Sequence, residues 1–186
     1  MALSCKLNKN LLRSNTCGYS LPQIVDLYLI NYEDLKNTHV GNINSGTCEG
    51  IDTIEFVSAD TEVKVYHIEP AKNSASFEDT LVVEDNGTKY RNASITFSVV
   101  GTYTACMHEA LDSLSLGRYF VVVKTADGNY LGFGRISPLE AETATLAGGA
   151  DSNGIQVTLS GNIAESAMPL DGEVVNKILE RVATDA

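Results

Sequence analysis

Three histidines, His39, His67 and His108, are the first residues to test for chemistry. An imidazole serves as a general base, a metal ligand or a charge switch only when an acid, a nucleophile or a second ligand stands at a suitable spacing. None of the three has a partner at metal spacing, and the local patterns place them in a loop, a strand and a helix. There is no Gly-x-Ser-x-Gly nucleophile turn and no Gly-Lys-Ser/Thr phosphate loop. Cys5, Cys17, Cys48 and Cys106 form no Cys-x-x-Cys pair and read as separate reduced thiols. The expectation is a non-enzyme with no catalytic residue, metal or cofactor.

The stretch "GGADSNGIQVTLSGN", residues 148–162, looks more like a ligand loop. Asp151-Ser-Asn153-Gly154 opens as a calcium loop does. The twelfth position, however, is Asn162 rather than an acid, and no helix pair flanks it. Gly148 and Gly149 lead into a strand, so no helix N-terminus is present to hold a phosphate. The loop is therefore a turn into a strand that alternates Ile155, Val157 and Leu159 against Gln156, Thr158 and Ser160. Asn86-Gly-Thr88 and Asn92-Ala-Ser94 match glycosylation acceptors, but no apolar leader accompanies them and they read as chance matches.

The elements that would position any site follow from composition and period. With 186 residues, 44% of them hydrophobic, the chain can bury the core of one domain. The longest apolar run, "YFVVV", is strand-sized, so no membrane span is expected. Residues 1–22 read as an irregular arm. "DLYLINYEDL" (26–35) places Leu27, Leu29 and Asn31 on one side and Tyr28, Ile30 and Tyr32 on the other, a strand covered on both faces. Residues 37–50 read as a polar connection, 51–57 and 62–69 as strands. Asn86-Gly87 centres a long hairpin over 75–100, with a two-residue type I′ turn that sets Glu84 opposite Lys89 and Val83 opposite Tyr90. Because Val82 and Val83 cannot share a face, that hairpin has two partly covered faces or a bulge.

"TYTACMHEALDSLS" (102–115) has helical spacing, with Thr102 or Thr104 as cap and Gly117 as stop. Residues 118–125 and 129–136 form a second hairpin around Asp127-Gly128. Residues 137–153 read as a long loop and 154–161 as the last strand. Over 172–183 an apolar stripe of Val174, Val175, Ile178, Leu179 and Val182 marks an amphipathic helix. The predicted fold is mainly β: two packed antiparallel sheets, sandwich- or barrel-like, with one flanking helix, a long hairpin and a C-terminal amphipathic helix. The expected organisation is an arm (1–22), a β domain (23–168) and a helical extension (169–186).

Charge narrows the function. The net charge is −11, whereas duplex DNA carries one negative charge about every 1.7 Å, which excludes an ordinary nucleic-acid binder. Residues 49–85 contain ten acids against Lys64 and Lys72. Such a run is either a solvated face or a surface that repels polyanions.

"CGYS" and "DLYLINYEDL" at 17–35, a helix, then "GNYLGFG" and "ADSNGIQVTLSGNIAESA" together resemble the small tail tube proteins of phages that infect Bacteroidetes. The likeness covers roughly residues 17–168 as several short motifs in order. It implies a virion structural protein made in the bacterial cytoplasm. Hexameric rings of it would stack, their inner sheets joined into one channel through which DNA, or a tape-measure protein, passes without sequence-specific binding. A neck or short-tail ring gripping other tail proteins, or a capsid or adhesin β-sandwich module, is the alternative. Under the tube reading Glu78 and Glu84 face the lumen. Leu81, Val82, Val83, Tyr90 and Ile95 form the inter-subunit hairpin. Asp79, on the core side, needs a partner or sits where the hairpin leaves the body. The stripe Val174, Val175, Ile178, Leu179 and Val182 either docks on a neighbouring ring or packs back on its own sheet.

Overall fold

A computed structural model describes residues 23–43, 48–58, 63–100, 105–148 and 153–183. The arm at 1–22, the capping threonines Thr102 and Thr104, and Asp151 lie outside the described residues. The elements run β1 (Ile24–Asn31), a 3₁₀ turn (Tyr32–Asp34), β2 (Leu35–Asn42), β3 (Glu49–Phe56), β4 (Val65–Ile68), β5 (Ser76–Val83), β6 (Lys89–Val99), α1 (Ala105–Leu116), β7 (Arg118–Thr125), β8 (Tyr130–Phe133), β9 (Leu139–Gly148), β10 (Asn153–Ile163), β11 (Met168–Pro169) and α2 (Gly172–Leu179). All strand pairings named in the two sheets are antiparallel. The mainly β, two-sheet architecture with helices at its flanks is the predicted fold class.

The organising strand is β7. One edge pairs with β1 from Asn31↔Tyr119 to Ile24↔Thr125, and β4 continues the sheet beyond β1. Its other edge is shared: Val121–Lys124 pair with β8, while Arg118 and Tyr119 pair with β9. Two half-sheets diverge from that point. One is β4-β1-β7-β8-β11 and the other is β9-β10-β6-β5. Leu27, Leu29, Val121, Val123 and Phe133 from the first half pack against Ile95, Phe97, Val157 and Leu159 from the second. This is the sandwich core.

A second core lies on the opposite face of β1 and β7. Tyr28, Ile30, Phe120 and Val122 meet Ile51 and Ile54 of β3, Leu170, and Val174, Val175 and Ile178 of α2. The predicted double coverage of β1 is therefore realised: alternate residues feed different cores. α2 begins at Asp171, whose carboxylate accepts the Glu173 backbone N–H at 3.1 Å. After α2 the chain bonds to β4 through Val65 N–H to Arg181 O at 2.9 Å and Ala183 N–H to Val65 O at 2.8 Å.

Both predicted hairpins form, the first with a different turn. Glu84 O accepts Gly87 N–H at 2.8 Å, and Glu84 N–H reaches Thr88 O at 2.9 Å. Gly87 has φ +84 while Asn86 is not left-handed. This is a type I turn closed by a left-handed glycine, not a type I′ pair. Thr125–Asn129 repeats the pattern with Gly128 at φ +82. The longer loop moves the register by one: Val83 faces Lys89 and Val82 faces Tyr90. No bulge is needed, because Val82 and Val83 point to opposite faces of a regular pair.

Two segments read as connections are strands. Residues 37–42 belong to β2, paired with β3 through two irregularities. Residues 139–148 form β9, ten residues paired along β10. The remaining corrections are at ends. Tyr32–Asp34 leave the strand as a 3₁₀ turn, and α2 closes at Leu179 rather than at 183.

Candidate functional site

The half-sheet β9-β10-β6-β5 has one face in the sandwich core and one open face. Register assembles the open face in rows. Thr145, Gln156 and Ser98 form one row; Thr143, Thr158, Thr96 and Ser76 the next. Glu140, Ser160, Ser94 and Glu78 follow, then Asn162, Asn92 and Thr80, and finally Tyr90 and Val82. None of these side chains is buried. Strand alternation is the cause on β6 and β10, where Ile95, Phe97, Val157 and Leu159 are buried between the open-face positions. Thr96 and Thr158 hydroxyls lie 3.1 Å apart and Asn92 Nδ2 donates to Asn162 Oδ1 at 3.2 Å, so cross-strand partners are partly satisfied within the face.

The chemistry of this face is uniform. It is a plane of hydroxyls and amides with carboxylates Glu78 and Glu140 at the two outer ends of one row. It carries no lysine or arginine. Such a surface offers hydrogen bonds to water and repulsion to a polyanion, with no cation to hold a phosphate.

Two strand edges bound the face. β5 pairs only with β6, and β9 has a strand on its far edge only at Leu139 and Glu140. Beyond those positions neither edge pairs with a further strand among the described residues, though on β5 Asp79 O accepts from Arg91 Nη2 at 2.9 Å. β5 also presents Leu81 and Val83, 53% and 56% exposed, on the core side but beyond the core.

Of the predicted hairpin residues, Leu81 and Val83 are thus free to meet a neighbour. Val82 and Tyr90 lie half-buried on the open face. Ile95 is fully buried in the sandwich core, which corrects its expected place between subunits. Glu78 is on the open face. Glu84 sits in the turn instead, where its carboxylate accepts the Tyr90 hydroxyl at 2.8 Å. Of the two readings for Asp79 the partnered one holds: it takes Arg91 Nε at 2.6 Å, with Ala167 N–H at 3.1 Å on the other oxygen. Glu140 joins the face unpredicted, since its strand was read as a loop. Val174, Val175 and Ile178 fill the second core, Val182 bridges to Val65, and Leu179 alone of the stripe remains 39% exposed. Among the stripe residues the apolar surface is spent within the chain, except at Leu179.

The densest cluster of ionisable groups lies elsewhere. Asp26 on β1 takes His67 Nε2 at 2.9 Å on one oxygen and Lys124 Nζ at 2.8 Å on the other. His67 stacks on Tyr28 with ring centroids 5.0 Å apart. Burial works to raise the Asp26 carboxyl, but the hydrogen bonds from Lys124 and His67 outweigh it and hold the group below the ordinary carboxylate value. The same bond raises Lys124. Ligand atoms of Asp26, His67 and Glu69 lie within 4.8 Å of one another, close enough for a cation. The Lys124 ammonium opposes one, so the arrangement works as a tie joining β4, β1 and β7. The other two histidines also pair with aspartates: His39 with Asp52 at 2.8 Å, and His108 with Asp112 at 3.6 Å on α1.

No protein-family model, curated protein or solved structure matches the chain.

Proposed function

We propose that this chain is a virion structural protein whose copies join into hexameric rings and stack as a phage tail tube. The observation that carries this reading is the open half-sheet: a cation-free, hydroxyl-lined face bounded by two strand edges. Pairing β5 of one copy with β9 of the next would continue the sheet around a ring and turn that face inward. Backbone hydrogen bonds would supply the pairing, and Leu81 and Val83 would be covered by the neighbour. The resulting wall presents Glu78 and Glu140 from every copy, and water rather than protein binds the passing DNA. Friction against a phosphate backbone is lowest where no Lys or Arg contact has to be broken.

Negative-stain images of the purified protein test the reading. Six-fold rings or tubes are expected, and a variant lacking residues 80–92 should remain folded but monomeric. Single particles from the native chain would favour an isolated β-sandwich binding module instead. Within particles, Glu78→Lys combined with Glu140→Lys should preserve assembly and slow DNA passage, most at low salt where screening is weak.

A further inference from the structure

Next to the β7–β8 turn lies an open groove of about 970 Å³. Its apolar wall includes Ile43, Phe77, Leu131, Leu170, Val175 and Leu179. Phe77 and Leu179 are each 39% exposed there, large apolar groups that the described chain leaves partly uncovered. Asp127 is the single charged residue of the lining, and no lysine or arginine contributes to it. The groove therefore suits an apolar segment with basic flanks.

The chain itself supplies such a segment. Gln23, where the described residues begin, lines the groove. The residues before it carry Leu3, Leu7 and Leu11 at every fourth position, together with Lys6, Lys9 and Arg13 and no acid. Charge is thus segregated: residues 1–22 carry +3 and the rest of the chain −14. Leu11 lies twelve residues before Gln23, and a chain of that length extends to at most roughly 40 Å, enough to fold back over the groove. Tethering at that length gives an effective concentration in roughly the millimolar range, which favours the chain's own segment over a second copy's.

We infer that the groove is the dock of residues 3–13 of the same chain, with Leu3, Leu7 and Leu11 against its apolar wall and the basic side chains toward the acidic body. This does not rest on the ring reading, since a lone subunit would hold its own arm equally well.

The test uses the full chain with Cys5, Cys17, Cys48 and Cys106 replaced by serine and Asn176→Cys placed on the groove wall. Alkylation of the new thiol is timed with the native arm and with Leu3→Glu, Leu7→Glu and Leu11→Glu combined. If the arm is docked in about nine molecules of ten, the native arm slows the reaction roughly tenfold. That protection should survive a roughly hundredfold dilution, because the contact is intramolecular. Equal rates in the two proteins would overturn the proposal. Protection lost on dilution would also overturn it, by assigning the groove to another copy's arm. Loss of a dock populated nine times in ten removes a tenfold stabilisation, about 1.4 kcal/mol, so the arm variant should melt in one cooperative transition only a few degrees below the native chain, which establishes that its body is folded.

Discussion

The two half-sheets are built from the same kind of strand but finished differently. β1 and β7 have both faces covered, one by the partner half-sheet and one by β3 and α2. β10 and β6 have one face in the core and one in the open. The doubly covered half reads as continuous apolar runs, "DLYLI" and "YFVVV", while the open half alternates Val and Leu with Ser and Thr. A strand whose two faces are both completed inside the chain serves stability. A strand with a whole polar face and a spare edge leaves room for something outside the chain, and here the edge is the more informative part.

That contrast can be broken most severely in the doubly covered half. Phe120→Ala removes a fully buried ring from the second core and should cost about 3–5 kcal/mol in denaturant unfolding. Ile178→Ala tests whether α2 is part of the body or an appendage. Buried in the same core, it should cost about 2–4 kcal/mol, whereas an appended helix would give almost no change.

The tie at Asp26 should weigh less. Asp26→Asn leaves Lys124 without its carboxylate partner and should cost about 2 kcal/mol, scaled down from a fully buried pair because Lys124 and His67 are partly open. The native tie has a predictable pH window. The Asp26 carboxyl is lowered on folding, so its contribution is present above the ordinary carboxylate value near 3.8 and disappears as pH falls through the lower folded value. Lys124 is raised, so its share is complete below about 10.5 and is lost as pH rises through the higher folded value. Melting curves of the native chain and Asp26→Asn should converge at acid pH. Curves that remained parallel would remove the carboxylate from the account.

The smallest effect belongs to the open face. Thr96→Val with Thr158→Val should change stability by no more than about 0.5 kcal/mol, because both partners of one hydroxyl pair are replaced together by apolar groups of the same shape. A loss of more than about 2 kcal/mol would mean that the face is covered within the subunit, which would end its comparison with the doubly covered half.

The sequence carried much of this by itself. Alternation placed Leu27 and Leu29 against Tyr28 and Ile30 on β1, and Ile155, Val157 and Leu159 inward on β10. It also put Asp79 on a core side where a partner was required. Glycines fixed both hairpin turns. Asn-Gly and Asp-Gly announced where the chain reverses, although not that the Asn-Gly loop would be one residue longer than a type I′ turn, since the two turns favour the same residues. β9 was illegible because "LEAETATLAG" is dominated by Ala, Thr and Glu. Its strand conformation comes from hydrogen bonding along β10, a partner that composition does not reveal. Without β9, Glu140 could not be set in the same row as Glu78.

Tertiary structure alone decided three further things. It buried Ile95, because the core side of β6 lies under the opposite half-sheet. It turned the C-terminal stripe inward, because β1 and β7 leave an apolar face that only β3 and α2 are placed to cover. And it gathered the hydroxyl face, since periodicity determines which side of its own strand a residue occupies, whereas only register determines which residues of other strands stand beside it.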